Sequence, residues 1–232
     1  MYKNNSILAI IPARSGSKGI KNKNLVKINN LSLVAHAINC VKKINFIDHI
    51  HVSTDGKKIF NEASKFKCKP LFLRTKKLSG PRISDIEVIE YVLKKLEKIL
   101  NKKFQIILLI QPTSPLRKSS DLLNCIKLLL SKNADSVWSL SNSDLKHHPL
   151  KQLKILKNKL SYYDKKGNKI IARQQLNQLY HRNGICYALR RNTVLKKKSL
   201  MGTVSIPYIV NRVVPNIDSY KDLEIAKKLM RR

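Results

Sequence analysis

The feature that most constrains this chain is the segment Ile7–Ile11 and the loop behind it. Five consecutive apolar residues of strand length run into a Gly/Ser/Lys loop, Pro12–Asn24. Unbroken apolar character, rather than alternation, describes a strand buried on both faces, as in a parallel sheet with helices on either side. The pattern recurs. Residues 47–53 and 104–110 read as further strands, with a short one at 70–73 and others at 135–140 and 184–189. Between them lie helical patterns at 33–41, 57–66, 84–100 and 120–131, then a short helix at 191–197 and a closing one at 219–230. Ser84 followed by Glu87 has capping-box spacing. The expected fold class is α/β, with a mostly parallel central sheet and helices on both faces. Ligands of such sheets bind beyond the carboxyl ends of the strands. The polar segments 12–24, 53–55 and 111–117 fall there. Residues 142–175 break the alternation: SYYDKKGNKII predicts two short strands around a Lys-Gly-Asn turn, a hairpin insertion within a single domain spanning 1–232.

Composition narrows the function classes. At 232 residues and 43% hydrophobic, the chain can bury a core without disulfides or a structural metal. Forty-seven basic against fourteen acidic residues give a formal charge of +33, which attracts anions of every kind. Only eleven of the basic residues are Arg, and the Lys are scattered with no basic block or tail. Nucleic-acid binding is therefore expected to be non-specific only. Cys40, Cys68, Cys125 and Cys186 lie far apart, without zinc-ligand spacing, and read as buried free thiols in a reducing compartment. No segment reaches 18 apolar residues without a charge, and the apolar run before Pro12 and Arg14 is too short for a signal peptide. The expected location is cytoplasmic, with no membrane partner.

The loop after the first strand carries the chemistry. Arg14, Lys18, Lys21 and Lys23 surround Gly16 and Gly19. Backbone N–H groups of such a loop, with Ser17, can cradle phosphate oxygens while the cations neutralise them. The pattern is neither GxxxxGK[ST] nor GxGxxG.

IPARSGSKGIKNKN resembles the signature of the acylneuraminate cytidylyltransferases, a family that includes synthetases for sialic-acid-like nonulosonic acids. The likeness continues through VSTD (52–55), PLFLR (70–74), LIQPTSPLR (109–117), Arg173-Gln174, YHRNGICYAL (180–189) and NIDSYKD (216–222). It implies a Rossmann-like nucleotidyltransferase fold and a homodimer to which residues 142–175 contribute, together with part of the sugar pocket. It also implies a reaction. CTP and a nonulosonic acid, with Mg²⁺ as cofactor, give the CMP-sugar and pyrophosphate, the anomeric hydroxyl attacking the α-phosphorus. Octulosonate cytidylyltransferases share the opening motif, but the QPTSPLR and RNG segments disfavour that reading. A non-catalytic anion- or RNA-binding relative is the other alternative.

The resemblance assigns roles residue by residue. Arg14 and Lys23 clamp the triphosphate, with Gly16, Ser17 and Lys18 contributing from the loop. Asn24 and Arg74 contact the nucleoside. Gln111, Arg173, Tyr180 and Asn183 fall on the sugar side. Asp218 is the metal ligand, with Asn216 beside it. Arg14, Lys23 and Asp218 are the catalytic candidates. Two departures stand out. The family's Asp-Ile-Asp is Asn216-Ile217-Asp218 here, and an aspartate expected in the third loop is Pro81, followed by Arg82. Asp85 and Glu87 are expected to stabilise the helix dipole, and Asp55 to orient the basic loop or cap the next helix. The general base stays open between a metal-bound water and the metal-activated sugar hydroxyl.

Overall fold

Strand β1 (Ile7–Pro12) can be apolar throughout because Ile7 to Ile11 have no exposed surface at all. The computed structural model describes residues 1–17 and 19–231. After β1 come two short pairing segments, β2 (Lys27–Ile28) and β3 (Leu31–Ser32), then α1 (Leu33–Lys42), β4 (His49–Ser53), α2 (Lys57–Lys65), α3 (Asp85–Leu100) and β5 (Ile106–Leu109). The chain continues through α4 (Ser119–Ser131), β6 (Ser136–Asn142), β7 (Leu153–Leu156), β8 (Lys159–Tyr162), β9 (Tyr180–Arg190), α5 (Arg191–Leu195), β10 (Ser205–Ile209) and α6 (Tyr220–Met230). Six strands form one sheet in the order β10-β6-β9-β5-β1-β4. β1 pairs in parallel with β4 and with β5, so the fold is α/β with a mostly parallel sheet, as expected.

β9 runs antiparallel to β5, with Leu108 opposite Ala188. The sequence did not show this reversal, because a strand buried on both faces reads the same in either direction. A second difference concerns residues 70–73, which form no strand. Pro70 has no N–H to give a ladder, and Leu71 and Leu73 are exposed. The segment meets β4's end through one bond, Arg74 N to Thr54 O at 2.7 Å.

α3 begins with the expected capping box: Ser84 N donates to Glu87 Oε2 at 2.9 Å, and Glu87 N to Ser84 Oγ at 3.4 Å. Its apolar stripe, Val88, Ile89, Val92, Leu93 and Leu96, packs on Leu8, Ile10, Ile107 and Leu109. Truncating one such residue, as in Leu93→Ala, costs about 2–5 kcal/mol.

The chain divides into two compact units. The first comprises Met1–Ser139, Asn183–Tyr208 and Val214–Arg232; the second comprises Leu140–Arg182 and Ile209–Val213. In the second, β7 and β8 form an antiparallel hairpin with Leu153 opposite Tyr162. Its turn is Lys157-Asn158, both at positive φ (49° and 59°), and not the Lys-Gly-Asn expected from sequence. Residues 165–169 instead form a short 3₁₀ segment capped by Asp164, whose Oδ1 accepts from Lys166 N at 2.9 Å. Gly167 serves close approach there: a Cβ would overlap the Leu150 carbonyl oxygen.

Candidate active site

The loops at the carboxyl ends of β1, β4 and β5, with the segment before α6, surround a cavity of about 360 Å³ within the first unit. The β1 loop brings Arg14, Ser17, Lys23 and Asn24 to its wall. Two devices shape that loop. Asp55, at the end of β4, accepts from both Ser15 N and Ser15 Oγ, each at 2.8 Å. Burial alone would raise the Asp55 pKa, but these bonds and the Arg74 charge outweigh it and the carboxyl titrates below its usual range. The orienting role for Asp55 is therefore the one observed. At the loop's far end, Asn24 is buried and its Nδ2 donates to the Arg14 carbonyl at 2.9 Å, tying the two ends of the loop together. A Cβ on Gly16 would meet nothing within 4 Å among the described residues, whereas a Cβ on Gly19 would collide with the Asp218 carbonyl oxygen. Lys18 lies outside the described residues.

Apolar packing delivers the metal candidates to this loop. Ile20 and Ile217, both fully buried, belong to one cluster with Ile28, Leu33, Leu223 and Ala226 of α6. Ile217 N also donates to Thr113 O at 2.8 Å. Its neighbours Asn216 and Asp218 thereby reach the cavity wall. Lys23 Nζ donates to Asp218 Oδ1 at 2.7 Å, and Asn216 Nδ2 to Asp218 Oδ2 at 3.2 Å. The Asn216 Oδ1 atom is buried and has no hydrogen-bond partner among the described residues. Asp222 serves the closing helix, accepting from the backbone N–H groups of Asp218 and Ser219 at 3.1 and 2.8 Å.

Arg74 enters from the segment after β4 and is held by Ser79, which accepts from its Nε at 3.1 Å. Burial lowers its pKa, an effect opposed by the Asp55 and Asp85 charges. Gln111 stands at the end of β5, in a turn pinned from beneath by the buried Arg117. That guanidinium donates to the Gln111, Gly184 and Ile185 carbonyls.

The remaining sugar-side candidates are placed differently. Asn183 is fully buried and lines no part of the cavity: its Oδ1 accepts from Ser139 Oγ at 2.7 Å and from Ile185 N at 3.2 Å. Arg173 and Tyr180 are exposed residues of the second unit. Asp85 is the residue that sequence reasoning passed over. It sits on the first turn of α3, but faces the cavity and accepts from Gln111 Nε2 at 3.4 Å. An acidic residue after a helix cap looks like a dipole partner in any sequence, so no local signal marked it.

Among the described residues no group of three or more His, Cys, Asp or Glu side chains could hold a metal ion, and no helix is long and apolar enough to cross a membrane. The fold resembles that of CMP:2-keto-3-deoxy-manno-octonic acid synthetase complexed with CTP, with a TM-score of 0.73 and 16% identity over 97% of this chain and 98% of that one. Among curated proteins, the post-translational flagellin modification protein B of Campylobacter coli is 27% identical, covering 97% of this chain and 95% of that protein. The CMP-N,N'-diacetyllegionaminic acid synthase of Legionella pneumophila is 28% identical over 97% and 96% of the two chains. The N-acylneuraminate cytidylyltransferase of Escherichia coli is 28% identical over 95% of this chain, which spans 51% of that protein. The sequence profile of the cytidylyltransferases matches residues 8–222, and the chain belongs to the cytidylyltransferase family.

Proposed function

We propose that this protein transfers CMP from CTP to the anomeric hydroxyl of a nonulosonic acid, with release of pyrophosphate. One observation carries the reading: Arg14, Lys23 and Arg74 converge with Asn216 and Asp218 on a single cavity at the carboxyl edge of the sheet. The names of the legionaminic and N-acylneuraminate relatives support a nonulosonic acid as acceptor.

In this reading Arg14 and Lys23 neutralise the triphosphate, and Arg74 and Asn24 hold the nucleoside. In-line attack by a hydroxyl needs little covalent help from the protein, so positioning and charge stabilisation supply the rate. Gln111 contacts the acceptor sugar. Arg173 and Tyr180 are assigned to the sugar side by the motif match, and Asn183 acts from within the sheet by holding β9.

Asp218 and Asn216 fit a hard divalent cation. Both offer oxygen, and the buried Asn216 Oδ1 has no other partner among the described residues. Two protein oxygens suit Mg²⁺, which binds through one or two protein groups plus substrate phosphates. When bound, the cation would offset triphosphate charge and polarise the phosphoryl group. Lys23 holds one Asp218 oxygen, which keeps that carboxylate aimed at the phosphate loop.

A homodimer fits the second unit, where Leu153, Ile155, Leu156 and Leu160 of the hairpin are all exposed, as is Ile171. An apolar surface of this kind marks an interaction site.

The test is pyrophosphate release from CTP and Mg²⁺ across a panel of nonulosonic acids and octulosonate. Release with one nonulosonic acid bears the proposal out and names the acceptor. Release with octulosonate alone, or silence together with absent CTP binding, refutes it.

A further inference from the structure

We infer that Asp85 is a positioning residue, which orients the Gln111 side-chain amide so that it presents an N–H to the acceptor substrate. The inference rests on the reading of Gln111 as an acceptor contact. The Gln111 backbone is already fixed. Its N–H donates to Gly184 O at 3.3 Å, and its carbonyl accepts from Arg117. What is left to set is the amide plane, whose two ends differ by a donor and an acceptor. On one side Oε1 lies against the α-carbon of Gly184, where an added Cβ would come within 2.5 Å of it. On the other side Nε2 donates to Asp85 Oδ2 at 3.4 Å. Among the described residues Asp85 is the only hydrogen-bond partner of that amide. A carboxylate can only accept, so it selects the orientation with nitrogen toward α3. The second N–H of Nε2 then remains for an oxygen of the ligand.

The placement also explains an acidic residue in a cavity with three cationic side chains. Asp85 is not needed to start α3, since Ser84 and Glu87 close the capping box without it. Its charge acts on Arg74 within the same cavity, and its Oδ2 accepts from Gln111.

The experiment is a double-mutant cycle on the full-length enzyme, with KM for the acceptor sugar, KM for CTP, kcat and melting temperature read for each variant. Asp85→Ala is expected to raise the acceptor KM about tenfold, the worth of one well-placed hydrogen bond. The KM for CTP should change less than about twofold, and the melting temperature by no more than a few degrees. Asp85→Asn keeps an oxygen acceptor and should recover most of the loss. In a Gln111→Ala background, Asp85→Ala should add nothing further. Full additivity of the two substitutions would overturn the inference while leaving the reading of Gln111 intact. So would an effect confined to CTP, or an Asp85→Asn variant as impaired as the alanine. If Gln111→Ala alone leaves the acceptor KM unchanged, the reading of Gln111 fails and the inference with it.

Discussion

Lys23 Nζ lies 2.7 Å from Asp218 Oδ1, joining the loop after the first strand to the segment before the last helix. The lysine is largely covered, at 17% side-chain exposure, while the aspartate is 70% exposed. A pair with one partner this open adds little to stability. Its consequence lies in where it puts a carboxylate. Asp218→Asn should therefore leave the melting temperature nearly unchanged and reduce Mg²⁺-supported turnover by at least about 10²-fold, the scale of losing a charge-stabilising group. Lys23→Ala should do the same. Steady-state kinetics beside thermal melting decide the matter, and full activity in Asp218→Asn would move the metal elsewhere.

Gly19 is where the loop after β1 meets the Asp218 backbone. A methyl group there would collide with the Asp218 carbonyl oxygen, so either the loop or the Asn216–Asp218 segment must shift. Displacement by about 1 Å commonly costs about 10²-fold in rate. Gly19→Ala is expected to lower kcat/KM for CTP on that scale. Gly16→Ala, with nothing among the described residues within 4 Å of the added atom, is the matched control and should be mild. Equal effects at the two glycines would contradict this account.

Arg173 is an exposed residue on a short 3₁₀ turn, with no side-chain hydrogen bond among the described residues. Its removal should hardly touch folding. Arg173→Ala is expected to reduce turnover about tenfold or more, with a melting temperature close to that of the parent. A lowered melting temperature with unchanged kinetics would withdraw its substrate role.

His51 gives the protein an acid-sensitive point away from the cavity. It is 1% exposed, lies against Phe72 with ring centroids 4.5 Å apart, and has no hydrogen-bond partner at either ring nitrogen among the described residues. Burial, then the nearby His49 and Lys95, push its pKa down to about 3. The unfolded chain takes up this proton near pH 6.5, whereas the folded chain resists until about pH 3, so stability falls as pH drops through that window. Between about pH 7 and 5 the contribution lost is on the order of 2 kcal/mol. Replacing His51 by Leu should flatten the stability profile there by a similar amount. Urea melts at both pH values provide the comparison, and parallel slopes for parent and variant would show that His51 is not the source.

Much of the fold, and many of the residues that line the candidate cavity, were readable along the chain. Continuous apolar runs located β1 and β5, because a strand covered on both faces must be apolar at every position, whereas β4, at the edge of the sheet, alternates His and Ser with Ile and Val. The Ser84–Glu87 capping box is local chemistry and appeared where its spacing put it. Arg14, Lys23 and Asn24 are close in sequence, so their convergence needed only a loop after a strand. The misses have a common cause. The direction of β9, the turn at Lys157-Asn158 and the irregular path of 70–73 depend on what each segment meets in space.

The sequence by itself determined the α/β class, through apolar patterning, and placed a basic, glycine-containing loop after the first strand, through residue type and short-range spacing, while the candidacy of Asp218 as a metal ligand came from the family resemblance. Only the tertiary structure decided which distant groups share a cavity. Ile20 and Ile217 drop into one apolar cluster and thereby bring Asp218 to Lys23. Arg117 and Gly184 fix the turn that carries Gln111 against Asp85. Asn183, marked by its motif, is drawn into the sheet because its amide completes hydrogen bonds that would otherwise be left unmade in the core. Burial of apolar surface sets these long-range pairings, and it acts on the folded whole rather than on neighbours in the chain.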